Sequence, residues 1–295
     1  MNAANTDRKP VLPAVIRPAA LQAGASVRQV SPASWFNPQT AQVGIDALRE
    51  LGYKPEFSQN ALARYGQYTA GNPTQRLEDL HAAFADSSVR AIICNRGGYG
   101  SAELLGGLDL DLVRSHPKIL VGCSDITSLE TWLHDATSLV VFHGPMAAGD
   151  FARENGIDLS SWHSALSQHQ PWQLGPEAGL RVLKTGRAQG KFYGGCLSLL
   201  VASLGTPYEI QTEGTILFLE DIGAEDMHVA RGRTQKTEDG IEQGALAGTR
   251  SAHDDQNLAG ANRERNVLQD LMVAVGHGEM TGLHNDFPGA LGMRS

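Results

Sequence analysis

Residues 118–133 read Lys-Ile-Leu-Val-Gly-Cys-Ser-Asp-Ile-Thr-Ser-Leu-Glu-Thr-Trp-Leu. The short apolar run Ile119–Val121 suits a buried strand, and Ile126, Leu129, Trp132, Leu133 and Ala136 recur at helical spacing. This predicts a strand, a tight turn at Gly122-Cys123-Ser124-Asp125, and a helix. Ser124 falls at the turn, where a hydroxyl is lifted out of the backbone beside the first helical amides. Those amides lack intrahelical partners and favour negative charge. A serine nucleophile needs such donors, because its tetrahedral intermediate carries an oxyanion. The same residues also fit an ordinary helix start, with Ser124 or Asp125 as the capping side chain. Ile126 in place of glycine separates the motif from the Gly-X-Ser-X-Gly elbow of the α/β-hydrolases.

Outward from this stretch, strand and helix patterns alternate. Ser26–Val30 reads as a strand, although Arg28 and Gln29 interrupt its apolar character. Pro38–Leu51 places Ala41, Ile45, Leu48 and Leu51 on one helical face, with Gly52 at C′. Asn72-Pro73 opens a second helix with a capping residue and proline at N1. Val89–Cys94 is a strand of the fully buried type that runs into Asn95-Arg96-Gly97-Gly98-Tyr99-Gly100-Ser101. Leu139–Phe142 is another, ending at His143-Gly144-Pro145. The alternation argues a parallel α/β sheet over residues 13–150. Ligands bind such sheets at the carboxyl ends of the strands, and Gly97–Gly100, Ser124 and His143 all follow strand ends.

Residues 1–12 read as a loose tail and 151–180, with Trp162 and Trp172, as a linker or lid. A second region spans 181–295. In it, Phe192–Leu200 is a glycine turn entering a helix, and the strand Thr215–Leu219 delivers Glu220-Asp221. Within 236–265 only Ile241, Leu246 and Leu258 are large and apolar, too few for a packed core, so this stretch reads as mobile or disordered.

A chain of 295 residues can bury one large or two modest domains. Its net charge of −8 gives a nucleic-acid role no electrostatic footprint. Cys94, Cys123 and Cys196 are odd in number and far apart, which argues against a disulfide framework or structural zinc and for a reducing cytoplasm. No segment has the length of a membrane span.

Read singly, the candidate site residues leave alternatives open. The amides of Arg96–Gly100 can supply the second half of an oxyanion hole with the Asp125 amide, or form a plain strand-to-helix turn. Glu220 can orient a general base or be a surface carboxylate. His143 and His277 stand out among ten histidines, each beside glycine near a strand end, and the residues alone do not choose between them.

Taken together, Ala70-Gly71, Arg76–Leu80, Asn95–Ser101, Gly122–Thr127, His143–Met146, Gly194–Leu200 with Gly205-Thr206-Pro207, and Leu219–Gly223 form an ordered set across about residues 13–235. The set resembles the LD-carboxypeptidase family, the murein tetrapeptide carboxypeptidases and microcin C self-immunity hydrolases. The resemblance implies an α/β fold with a flavodoxin-like parallel-sheet N-terminal domain and a smaller mixed α/β C-terminal domain. It implies a Ser-His-Glu triad of Ser124, His277 and Glu220, with oxyanion amides from Gly98 and Asp125. Substrate would meet Arg96, Gly97, Tyr99, Gly194 and Gly195, and His143 would be a structural or substrate-side residue. No metal or organic cofactor is implied. The expected activity is release of the terminal D-alanine from cytoplasmic muropeptide tetrapeptides, by a homodimer. The alternatives are an amidase acting on acyl-adenylate antibiotics, with Trp162 or Trp172 stacking on a nucleobase, and a catalytically impaired muropeptide-binding relative. The pattern departs after about residue 235, and already Met227, Ala230 and Arg233 stand where the family carries Tyr, Asp and Leu. Cys196 also replaces the usual Asn.

Overall fold

The structure, a computed structural model, describes residues 14–167, 186–222 and, for the backbone alone, 273–275. Five parallel strands carry the N-terminal region: β1 (Ser26–Val30), β2 (Lys54–Phe57), β3 (Val89–Cys94), β4 (Ile119–Gly122) and β5 (Val141–His143). Their spatial order is β2-β1-β3-β4-β5, and β8 (Val273–Val275) adds antiparallel to β5 at the edge. The 2-1-3-4-5 order is the flavodoxin-like arrangement, whose ligand crevice opens where the order reverses, between the carboxyl ends of β1 and β3.

The buried strands show why both faces must be covered. On β3, Ile92 and Cys94 point into one core, with Leu80 and Phe84 of α2 (Pro73–Ala85), Val113 of α3 (Leu110–Ser115) and Leu129 and Leu133 of α4 (Thr127–Thr137). Ala91 and Ile93 point the other way, to Leu48 of α1 (Pro38–Glu50) and Trp162 and Leu166 of α5 (Leu159–Leu166). This period-2 split is what a two-sided parallel sheet requires.

The helix starts follow their capping chemistry. Asn37 caps α1, and Asn72 with Gln75 forms a full capping box on α2. β2 has no counterpart among the expected elements. It is a four-residue edge strand, Lys-Pro-Glu-Phe, and a proline is tolerated there because an edge amide needs no ladder partner. The expected linker or lid over 151–180 is packed structure through residue 166. Trp162 is fully enclosed, edge-on to Phe151, and its indole N–H donates to the Tyr53 hydroxyl at 3.2 Å. Its aromatic bulk serves the core, so Trp162 does not stack on a ligand. Trp172 and the stretch 236–265 lie outside the described residues.

The second region pairs β6 (Lys191–Cys196) in parallel with β7 (Thr215–Glu220), joined through α6 (Leu197–Ser203). It is fastened to α4: the Tyr193 hydroxyl donates to Asp135, Lys191 pairs with Asp135 at 3.3 Å, and the Cys196 amide donates to Thr127 Oγ1 at 3.1 Å. Among the described residues, no helix is long and apolar enough to cross a membrane.

Arg76 ties together the loops above the sheet. It lies on α2 with 2% of its surface exposed. It donates to the carbonyls of Pro32 at 2.8 Å, Gly71 at 3.2 Å and Gly100 at 2.7 Å, and pairs with Glu103. One guanidinium thus satisfies the loop after β1, the loop before α2 and the loop after β3.

Two stability predictions follow from this packing. Gly44 sits in mid-α1, where alanine would ordinarily gain about 1 kcal/mol of helix propensity. A Cβ there would lie 1.9 Å from the Ala147 carbonyl oxygen. Gly44→Ala is therefore expected to lower stability by about 1–3 kcal/mol in denaturant titration, and a stabilised variant would refute the packing. Arg76→Met leaves buried carbonyls unpaired and should cost about 3 kcal/mol in the same measurement.

Candidate active site

Ser124 sits where the sequence pattern predicts, between β4 and α4, in a short 3-10 turn Ser124–Ile126. Its φ is +57°, a left-handed backbone at a residue with a side chain. Such a conformation costs about 1–3 kcal/mol and persists only where the surroundings over-determine it. Three contacts do so here. Ile126 folds back over Gly122, where a Cβ would lie 2.6 Å from its Cγ2. The Asp125 carboxylate accepts from the Ser101 amide at 2.8 Å, while the Ser101 hydroxyl donates to the Asp125 carbonyl. Gly97 packs directly on the turn, where a Cβ would meet Ser124 Cβ at 3.0 Å and the Asp125 amide at 3.2 Å.

The helix-cap reading of these residues is not what forms. The residue before α4 is Ile126, which makes no side-chain cap, and Asp125 is spent on Ser101. Ser124 is half-buried, reachable rather than sealed.

The glycine loop after β3 closes over the same point. Gly98 has φ +103°, and a Cβ there would strike Ser34 Oγ at 2.4 Å. Ser34 follows β1 and accepts from the Tyr99 amide at 3.0 Å. The loop therefore lies across the switch point of the sheet, against Ser124, with room only for glycine at 97 and 98. Arg96 is exposed and donates to the Trp35 carbonyl at 3.1 Å, and Tyr99 is 60% exposed. The Arg64 guanidinium lies 3.7 Å over the Trp35 ring, adding a second cation to this rim.

Glu220 ends β7 with its side chain 13% exposed, and its Oε1 lies 3.3 Å from His143 Nε2. The alignment is loose: Oε1 gains no hydrogen bond of good geometry, so the contact is an ion pair more than a hydrogen bond. The other ring nitrogen, Nδ1, lies 3.1 Å from Glu130 Oε2. Burial alone would lower the His143 pKa, but the adjoining Glu130 and Glu220 carboxylates outweigh it and hold the pKa at about 9. Burial raises the Glu130 carboxyl, opposed by His143.

Of the expected site residues, Ser124, Gly97, Gly98 and Asp125 adjoin, with Arg96 and Tyr99 on the same loop. Gly194 and Gly195, expected to meet substrate, are closely packed on their Cα side: a Cβ at Gly194 would strike the Phe218 carbonyl at 1.8 Å, and one at Gly195 would strike Thr127 Oγ1 at 2.7 Å. Both are buried, with φ of +140° and +146°. His277 lies outside the described residues. Glu130 and the buried hub at Arg76 were missed. Glu130 carried a signal: Ile126, Leu129, Glu130 and Leu133 occupy i, i+3, i+4 and i+7, so a carboxylate stands inside the apolar stripe of α4.

The LD-carboxypeptidase N-terminal domain model matches residues 27–144, and the LD-carboxypeptidase C-terminal domain model matches residues 189–278. A probable murein peptide carboxypeptidase of Bacillus subtilis is 36% identical over 273 residues, covering 90% of this chain and 85% of that protein. The murein tetrapeptide carboxypeptidase of Pseudomonas aeruginosa is 34% identical over 209 residues, 67% of this chain and 66% of that one. Among solved structures, an MccF-like protein from Bacillus anthracis superposes with a TM-score of 0.62 at 29% identity, over 70% of each chain. With a strained serine at the head of α4, a glycine loop laid upon it and both family domains matched in order, the chain belongs to the LD-carboxypeptidase family and is a carboxypeptidase-class enzyme.

Proposed function

We propose that the protein is a serine-type carboxypeptidase that hydrolyses the L,D-peptide bond to the terminal D-alanine of muropeptide tetrapeptides in the cytoplasm. The observation that carries this reading is the left-handed backbone of Ser124 at a strand-to-helix turn beneath Gly97 and Gly98. Ser124 Oγ attacks the scissile carbonyl, and His277 takes its proton and returns it to the leaving D-alanine amine. The amides of Gly98 and Asp125 face the oxyanion. Glu220 orients His277 and stabilises its imidazolium. Water then attacks the acyl-enzyme, with His277 again accepting the proton. In this reading residues 13–150 form the domain carrying the nucleophile, and 181–295 the domain carrying the acid and base.

Arg96 and Tyr99 are the substrate-side contacts. Arg96 uses one N–H on the Trp35 carbonyl and stands exposed on the loop that covers Ser124, a fitting place to receive the free carboxylate at the scissile end. The enclosure of Trp162 removes one of the two aromatics that an acyl-adenylate amidase would use for a nucleobase.

Ser124→Ala should abolish D-alanine release, followed by mass spectrometry, without changing the unfolding midpoint. Triad losses are on the order of 10⁶, so a residual rate above about a thousandth of wild type would refute covalent catalysis. His277→Ala should match it, and an equal loss in His284→Ala or His253→Ala with His277→Ala active would move the base. Arg96→Ala should raise KM about tenfold with a smaller change in kcat, the signature of lost ground-state binding.

A further inference from the structure

His143 closes β5, paired in register with Gly122 of β4, two residues before Ser124. Glu130 stands on α4, the helix that begins directly after the Ser124 turn, and Glu220 stands at the end of β7. Three separate elements thus bring two carboxylates to the two nitrogens of one imidazole, at 3.1 Å and 3.3 Å. The Phe218 ring lies edge-on to the imidazole, with centroids 5.4 Å apart, and fixes its plane.

We propose that Glu130 and His143 form a buried positioning pair that holds the Glu220 carboxylate in place for the reaction. The inference rests on the reading of Glu220 as the residue that orients the base. An imidazole with a carboxylate at each nitrogen satisfies both only as the doubly protonated cation, with Nδ1–H donating to Glu130 and Nε2–H directed at Glu220. Glu130 is fully enclosed and His143 nearly so, whereas Glu220 keeps 13% of its side chain accessible. The pair grips Glu220 from the interior and leaves its outer side open.

A purely structural role explains this arrangement poorly. A buried set of one cation and two anions is seldom more stable than apolar residues of the same volume. A second face of the same cluster points to the nucleophile. Desolvation, and after it the charges of Asp150, Glu130 and Glu220, push the half-buried Cys123 thiol, the residue before Ser124, well up. The negative groups that face His143 come from α4 and from the end of β7. With a His143 pKa of about 9, the cation persists through neutral pH and is lost as the pH rises past that value.

Histidine-labelled full-length protein tests the pair directly. In nitrogen-15 NMR His143 should hold both protons through pH 8 and titrate near 9, and Glu130→Gln and Glu220→Gln should each lower that value. A neutral His143 at pH 7.5, by the same spectra, overturns the proposal. In turnover assays, His143→Gln should lower kcat about 10- to 100-fold with KM nearly unchanged, the cost of a group misplaced by about 1 Å. Glu130→Gln, which keeps the side-chain volume, should move the alkaline limb of the kcat profile toward neutrality. An unshifted limb in a folded Glu130→Gln protein overturns the positioning role. Full activity in Glu220→Gln would sink the triad reading itself. An inactive Glu220→Gln beside a fully active His143→Gln would sink only the positioning pair.

Discussion

The left-handed backbone at Ser124 is the constraint on which the rest of the site depends. An isolated residue does not hold φ +57° with a Cβ at no cost, and here the cost is met by neighbours on three sides. Ile126 lies over Gly122, Asp125 is locked to Ser101, and Gly97 sits on the serine itself. Two of these contacts join the segment after β3 to the turn, and the third joins it to the end of β4. Loss of any one would free the turn to relax toward an ordinary helix start and withdraw the hydroxyl. The glycines at 97, 98 and 122 are therefore required by the close approach of other atoms, not by looseness.

The sheet order explains why these loops meet. The chain runs from β1 outward to β2, then crosses back to β3 and on through β4 and β5, leaving a gap between the carboxyl ends of β1 and β3. Ser34 enters the gap from β1, and Gly97 and Gly98 enter it from β3. Arg76 holds the surrounding carbonyls from below, so three loops behave as one surface. Toward this site the second region brings Glu220 on β7, a strand paired with β6, which is itself fixed to α4 through Asp135 and Thr127. The two regions meet through His143, whose imidazole faces a carboxylate from each.

Much of this was legible from residue patterns. The buried runs at 89–94 and 119–121, the capping signals at Asn72-Pro73 and Gly52, and the strand that delivers Glu220 all reflect local chemistry, and all formed where expected. β2 was not legible, because a four-residue edge strand containing proline has neither length nor periodicity. Trp162 was misjudged for a related reason: an aromatic in a polar stretch carries no mark of whether it faces solvent or core, and eight residues of α5 were enough to bury it. Gly194 and Gly195 carried a signal of close approach, and Phe218 and Thr127 supply it.

The amino-acid sequence alone determined the alternation of strands and helices, the parallel sheet and the placing of Ser124 at a strand-to-helix turn. These follow from hydrophobic period and capping, which act over a few residues. Only the tertiary structure decided that Ser124 would be left-handed, that Asp125 would bind Ser101 instead of capping α4, and that Glu130, His143 and Glu220 would converge. Those outcomes depend on contacts between residues far apart in the chain, 24 positions for Asp125 with Ser101, which no local pattern encodes.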